Sequence, residues 1–269
     1  MTGMNSSTST RVDGTADITL TSLSFDELID WCTSRGYPAF RAHQLWQWTY
    51  RRLATAYGDM TNLPDHMRNA MPDALPLAST RMHASHSAED GSVKYVIALA
   101  DGALIECVWI PMVGHATVCV IGCTFCASGA DGLVRNLAAH EIVEQVLLLA
   151  RSHSRDSIGN VVVMGAGEPL HNYDALVRAL HILNDDNGLC IGMRRITVST
   201  AGVIDGIRRM AVDLPQVNLA VSLHAARDDL RRTLMPRCPS SIDNLFDALA
   251  DYYDATHRRI TFEYVLIAG

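Results

Sequence analysis

The sequence predicts an α/β protein: a parallel sheet built from βα units, preceded by a small helical domain and a β-hairpin. Three observations predict it. Apolar residues recur at helical spacing over residues 24–71, and the period shortens to that of strands over 80–111. Beyond His115, short β-branched runs alternate with amphipathic stretches. The chain has 269 residues and is 48% hydrophobic, enough for one sizeable core and a small appended domain.

Residues 1–19 are polar and rich in Ser and Thr, read as a disordered lead-in, and hold no apolar stretch of the kind a signal peptide needs. A helical accessory domain is expected over 20–78. Ser24 followed by Glu27 has the capping-box pattern, and Phe25, Leu28, Ile29, Trp31 and Cys32 supply an apolar side. Gly36–Tyr37–Pro38 breaks that helix. A second is expected over 39–56, and a third near 64–71 should end at Pro72 and Pro76.

A β-hairpin extension is expected over 79–114, where SVKYVIALADGALIECVWIP holds two strand-like runs around an Asp101–Gly102 turn. Residues 115–269 then read as strand 116–120, helix 138–152, strand 160–164, helix 173–184, strand 195–199, helix 203–211, strand 217–223, helix 242–255 and strand 259–267. Right-handed crossovers make such strands parallel. In these sheets chemistry sits at the carboxyl ends of the strands, where the cysteines, GAGEP, STAG and SLHA fall.

A formal net charge of −7 argues against non-specific nucleic-acid binding by the whole molecule. A local basic face is still available in FRAHQLWQWTYRRLATAYG, which offers Arg41, His43, Arg51 and Arg52 beside Phe40, Trp46, Trp48 and Tyr50, with no acid. The same spacing also suits a core, with Trp46 and Tyr50 or Leu45 and Trp48 pointing inward. Apolar runs are too short to cross a membrane. Seven cysteines, three of them bunched, do not resemble a secreted disulfide framework. A cytoplasmic protein with no membrane partner is expected.

The bunched thiols lie in CVIGCTFC, as Cys119, Cys123 and Cys126. A structural zinc needs a fourth ligand, such as His115 or Cys107, because no second cysteine pair follows. Three thiolates also suit an iron–sulfur cubane whose fourth iron stays open to an outside ligand. The C-x3-C-x2-C spacing with Phe125 before the last cysteine, at the end of the first strand of a βα array, favours the cubane. Elsewhere, Gly165, Gly167 and Glu168 form a strand-to-helix loop that either simply turns the chain or lets backbone and a carboxylate approach a ligand's ammonium group. Ser199 and Ser222–Leu223–His224 end strands, as caps or as ligand contacts. Glu106 is an acid within an apolar run, which is costly unless it faces outward or works.

Taken together, FRAHQLWQWTY, MTNLPDHMR, LIECVWIP, GCTFCASG with GLVRNL, MGAGEPLHNYDAL, RRITVSTAGV, LAVSLHA with LRRTLMP, and FEYVLI resemble the RlmN-type radical S-adenosylmethionine (SAM) RNA methyltransferases and the related Cfr enzymes, over about residues 24–268. The resemblance implies an incomplete radical SAM (β/α)6-type partial barrel over 115–269. It implies a [4Fe-4S] cluster on Cys119, Cys123 and Cys126, and SAM held by Gly167, Glu168, Ser199, Ser222, Leu223 and His224. It implies Glu106 as a proton acceptor beside the target base, and C2 of adenine in 23S rRNA and tRNA as the methylated atom. A 5′-deoxyadenosyl radical, a methyl-carrying cysteine and an electron donor such as flavodoxin belong to the implied chemistry, and the N-terminal helices would help dock RNA.

Two departures from the family pattern shape the expectation. Family members usually carry a longer cysteine segment, whereas ATVCVIGCTFC runs straight through. Counted from the cluster motif, Cys119 is the first iron ligand, the role adopted here; counted from Glu106, it falls where the family places a disulfide-forming cysteine. The family also has a last barrel strand, a SAM-contacting Asn and the methyl-carrying cysteine beyond FEYVLIAG, and Cys32, Cys107, Cys190 and Cys238 all lie in other motifs. A separate C-terminal polypeptide is therefore one expected partner. The alternatives are an inactive remnant that retains RNA binding, and a Cfr-like enzyme acting at C8.

Overall fold

The computed structural model describes residues 18–111, 135–164, 167–238 and 240–266. Thr19, assigned from sequence to the disordered lead-in, is instead buried, and its hydroxyl meets that of Thr21 at 3.0 Å. The Leu20 amide donates to the Pro76 carbonyl at 2.8 Å and closes the helical domain.

Helix α1 (Phe25–Ser34) starts as its capping box predicts, with the Ser24 amide donating to Glu27 Oε2 at 2.7 Å and the Glu27 amide to Ser24 Oγ at 3.3 Å. Helix α2 (Phe40–Trp46) runs on through a wider π turn, Gln47–Arg51. It stops short of the expected residue 56 because Leu53 takes a left-handed φ of 58°. Helix α3 (Asp65–Ala74) passes through Pro72, where a stop was expected. The missing N–H falls in the last turn, where it removes one ladder bond, while Met67 and Met71 anchor the helix in the core.

The expected hairpin is a three-stranded antiparallel sheet, ordered β1 (Arg81–Ser87), β2 (Val93–Ala98), β3 (Leu104–Trp109). The turn at Asp101–Gly102 forms as read, with Gly102 at φ 85° and the Ala103 amide donating to Asp101 Oδ1 at 3.0 Å. Strand β1 escaped the sequence reading because RMHASHS is a polar, exposed edge with no apolar alternation. The inner face of the sheet docks on helix α4 (Ala139–His153). There the Trp109 ring stacks on His153 at 3.7 Å, and the Tyr95 hydroxyl meets His153 Nε2 at 2.7 Å.

The second sheet is parallel, in the order β4 (Val161–Val163), β5 (Ile196–Thr200), β6 (Asn218–Ser222), β7 (Ile260–Glu263). Helices α5 (Tyr173–Asn184), α6 (Ile204–Asp213), α7 (Asp228–Leu234) and α8 (Ile242–Thr256) connect or follow these strands. The strand expected at 116–120 lies outside the described residues. The short α7 was not anticipated, and β7 ends well before residue 267.

The two faces of this sheet differ. Ile196, Val198, Leu219 and Val221 are fully buried in the core that the helices share. Register puts Thr197, Ser199, Ala220, Ser222, Thr261 and Glu263 on the opposite face. A sheet covered by helices on both faces would be apolar on both. One apolar and one polar face is the arrangement of a partial barrel whose interior takes a polar ligand.

One buried carboxylate joins the regions. Glu144 of α4 accepts from the Thr21 hydroxyl, from the Ser79 amide at 3.1 Å and hydroxyl at 3.3 Å, and from the Thr80 amide at 2.8 Å. Arg135 forks onto Glu141 of α4 at 2.6 and 2.7 Å and reaches the Asp101 turn at 2.6 Å.

Candidate SAM site at the carboxyl ends of the parallel strands

Glu168 ends the loop after β4 and is buried. Its Oε1 accepts from the Leu170 amide at 3.0 Å and the Thr200 hydroxyl at 2.8 Å, and its Oε2 accepts from the Ala201 amide at 2.8 Å. A carboxylate has about four lone-pair sites, and donors among the described residues take three of them. Burial pushes the Glu168 carboxyl above the usual carboxylate range, against the pull of those donors. Gly167 beside it has φ 130°, a conformation that favours glycine and brings bare backbone to the rim.

Ser199, Ser222 and Glu263 share the polar face of adjacent strands. Ser222 and Glu263 are register partners. The Ser222 hydroxyl donates to Glu263 Oε2 at 2.8 Å, and the Ser199 hydroxyl donates to Glu263 Oε1 at 3.1 Å. Past β6 the amides of Leu223 and His224 both donate to the Glu263 carbonyl at 3.1 Å, tying two strand ends together. His224 turns the chain with φ 58°. Its Nδ1 accepts the Val265 amide at 3.2 Å, which leaves the ring proton on Nε2, and burial holds its pKa below the usual histidine value.

Beneath this rim Arg231 of α7 is fully buried. Its guanidinium donates to the carbonyls of Leu223 at 3.2 Å, Ser240 at 3.1 Å, Ser222 at 3.3 Å and Ala201 at 2.5 Å, so one side chain gathers the ends of β5 and β6.

The residues singled out in sequence therefore fall into three groups. Glu168, Ser199, Ser222, Leu223 and His224 converge on the strand ends, with Gly167 adjoining. Glu106 sits on the outer face of the three-stranded sheet, half exposed, with Lys94 Nζ 2.9 Å from its carboxylate. Cys119, Cys123, Cys126 and Gly165 lie outside the described residues. Among the described residues no group of three His, Cys, Asp or Glu side chains could hold a metal ion. Cys107, the spare ligand of the zinc reading, is buried in the inner face of the sheet, its thiol pushed up to about 12 by burial.

Sequence reasoning missed Glu263 and Arg231. A carboxylate on the same strand face as Thr261, at the carboxyl end of the strand, was the available signal for Glu263. Arg231 had none, because its four carbonyls come from loops far apart in sequence.

The residues present fit the groups expected. A three-thiol donor set matches a cubane with one open iron, and the rim offers carboxylate, hydroxyl and bare backbone to a ligand that carries an ammonium and hydroxyl donors.

The radical SAM superfamily model matches residues 113–269, and the model of the ribosomal RNA large subunit methyltransferase N-terminal domain matches residues 18–75. A probable dual-specificity RNA methyltransferase RlmN of Staphylococcus saprophyticus is 42% identical over 258 residues, covering 92% of this chain and 71% of that protein. The corresponding Streptococcus suis protein is 41% identical over 252 residues, 89% of this chain and 68% of its own length. The crystal structure of a radical SAM methyltransferase from Sphaerobacter thermophilus superposes with a TM-score of 0.88 at 42% identity, covering 94% of this chain and 77% of that one. The family implies a [4Fe-4S] cluster and SAM as cofactors, and no described helix is long and apolar enough to cross a membrane. The chain belongs to the radical SAM superfamily, within its RlmN-type methyltransferase family.

Proposed function

We propose that the chain methylates C2 of adenine in 23S rRNA and tRNA. One observation carries the reading: at its carboxyl end the parallel sheet holds Ser199, Ser222 and Glu263 on its polar face, with Glu168 fastened to the end of β5, in a chain 42% identical to a protein named as a dual-specificity RNA methyltransferase.

In this reading Cys119, Cys123 and Cys126 hold the cluster. Gly167, Glu168, Ser199, Ser222, Leu223 and His224 hold SAM, which when bound supplies both the radical and the methyl group. Glu168 uses its remaining lone pair for the ammonium of the methionine moiety. The Leu223 and His224 backbone, fixed to Glu263, shapes the far wall. Glu106 removes a proton from the target base, and Lys94 stands 2.9 Å from its carboxylate.

The helical region 20–78 serves as the RNA-docking domain. Three guanidinium groups lie over aromatic rings there: Arg35 over Trp31 at 4.2 Å, Arg41 over Phe40 at 4.6 Å and Arg52 over Trp48 at 4.3 Å. The basic stretch plays this part only partly as its composition suggested. Leu45, Trp46 and Tyr50 are core, and Arg51 is spent on the carbonyls of Asp186 and Asn187. A flavodoxin-type donor and a cytoplasmic setting complete the proposal.

The test is anaerobic reconstitution with iron and sulfide, followed by electron paramagnetic resonance with and without SAM. Nucleoside mass spectrometry of 23S rRNA fragments and tRNA incubated with the protein then follows. A cubane signal perturbed by SAM, together with 2-methyladenosine, is the expected result. A cubane with 8-methyladenosine would reassign the regiochemistry, and bound zinc without a cubane would overturn the reading.

A further inference from the structure

Glu263 belongs to no motif to which a role was given, yet it is the hub of the polar rim. Both of its oxygens are engaged: Oε2 takes the Ser222 proton at 2.8 Å, and the Ser199 hydroxyl lies 3.1 Å from Oε1 and 3.3 Å from Oε2. A serine hydroxyl has one proton and two lone pairs. With its proton committed to Glu263, each serine can only accept from anything else. The two serine oxygens stand 3.5 Å apart, and a shared carboxylate keeps either from spending its proton on the other.

The consequence is a surface of uniform polarity. Ser199 and Ser222, on adjacent strands and each with its proton on Glu263, both present lone pairs to the interior. Such a rim accepts ligand donors and repels ligand acceptors. A vicinal diol donates two hydroxyl protons about one serine–serine spacing apart and so matches the pair.

We propose that Glu263 is the positioning residue that sets the hydrogen-bond polarity of the SAM site, orienting Ser199 and Ser222 as paired acceptors for the ribose hydroxyls of SAM. This rests on the SAM-site reading above. Glu263 acts through the serines, so its contribution should vanish when they are removed. Glu263→Gln keeps the shape but supplies an amide that can donate to the serines, which frees their protons to point at the ligand.

The experiment is calorimetric titration of SAM, and of the SAM analogue lacking both ribose hydroxyls, into the anaerobically reconstituted protein. Four forms are compared: wild type, Glu263→Gln, Ser199→Ala/Ser222→Ala, and the triple variant. Glu263→Gln should weaken SAM about tenfold, the loss of roughly one to two hydrogen bonds. It should leave the affinity for the dideoxy analogue unchanged and add no further loss in the double-alanine background. An unchanged SAM affinity in Glu263→Gln overturns the proposal. So does an equal loss for both ligands, or an undiminished loss in the double-alanine background, since either would mean that Glu263 acts on the fold or on another part of SAM. A wild-type protein that binds no SAM instead overturns the site reading itself. Should Glu263→Gln unfold, Glu263→Asp, which keeps the acceptor but shortens its reach, must show the same selectivity for SAM over the dideoxy analogue.

Discussion

Glu168 accepts the Ala201 amide at 2.8 Å, so the loop after β4 is fastened to the loop after β5 by a buried carboxylate. The same side chain takes the Leu170 amide and the Thr200 hydroxyl. It is therefore a splice between two strand ends as well as a SAM contact in the proposed function. Glu168→Ala leaves two buried amides without acceptors, and each costs about 1–3 kcal/mol. We expect a lower unfolding midpoint together with weaker SAM binding. A variant that loses SAM affinity at unchanged stability would show that the splice contributes nothing.

The pH dependence of this residue has a definite sign. Burial raises the Glu168 pKa above its ordinary 4.5. The native state then holds its proton more tightly than the unfolded chain, so the stability attached to this group is present below pH 4.5 and lost as pH rises through the folded value. The stability of wild type relative to Glu168→Gln should fall over that window and flatten above it. Thermal melts of the two proteins at closely spaced pH values check this, and a gap that widens with pH would contradict it.

Glu27 has the opposite sign. The Arg178 guanidinium of α5 hydrogen-bonds its carboxylate, with Nη1 3.0 Å from Oε1, and holds the pKa below 4.5. Its stabilisation is present above pH 4.5 and lost as pH falls through the folded value. The pair is close to half exposed, so the effect is small and weakens in salt. Because Glu27 also completes the α1 capping box, Arg178→Ala isolates the junction better than Glu27→Gln. The melting difference between wild type and Arg178→Ala should shrink below pH 4.5 and at high salt, and a difference that ignores both would assign Arg178 a packing role only.

How far the sequence carried these conclusions depended on the range of the interactions. Helix α5 was read at its observed bounds, 173–184, because an amphipathic period is a local signal. The capping box of α1 is equally local. Strand β1 was invisible because a polar edge strand is specified by its partner β2, not by its own alternation. Pro72 misled because a proline forbids a helical hydrogen bond but not the packing of Met67 and Met71. At the site, Ser199 and Ser222 could be placed at strand ends from periodicity. Their joint dependence on Glu263 required the register of three strands, which no stretch of sequence contains.

Glu144 tests whether the helical domain, the three-stranded sheet and the parallel sheet behave as one unit. It lies on α4 and accepts from Thr21 on one side and from Ser79 and Thr80 on the other. Glu144→Ala strands the Ser79 and Thr80 amides, each at a cost of about 1–3 kcal/mol. Hydrogen exchange should show the greatest loss of protection at residues 79–80 and around Thr21. Loss confined to α4 itself would mean that the junction is held by other contacts.

Gly206 lies in α6, where alanine would ordinarily be preferred to glycine by about 1 kcal/mol. A Cβ built there would stand 2.6 Å from Leu170 Cβ and 3.0 Å from its Cδ1. Leu170 Cβ is fixed by its backbone and cannot swing aside, so the overlap must move either the helix or the turn that carries Leu170. Overpacking of this kind costs about 1–3 kcal/mol, which outweighs the helical gain. The Leu170 amide is also one of the three donors to Glu168, so the displacement reaches the rim. Gly206→Ala is therefore expected to lower the melting temperature modestly and to weaken SAM binding several-fold, although residue 206 does not bond to the rim residues itself. Adding Leu170→Ala removes the clashing side chain beyond Cβ but leaves the closest overlap, so it should restore stability only in part. Full rescue by that second substitution would show that the Leu170 side chain, not the turn, absorbs the strain, and the predicted loss of SAM affinity should then disappear as well.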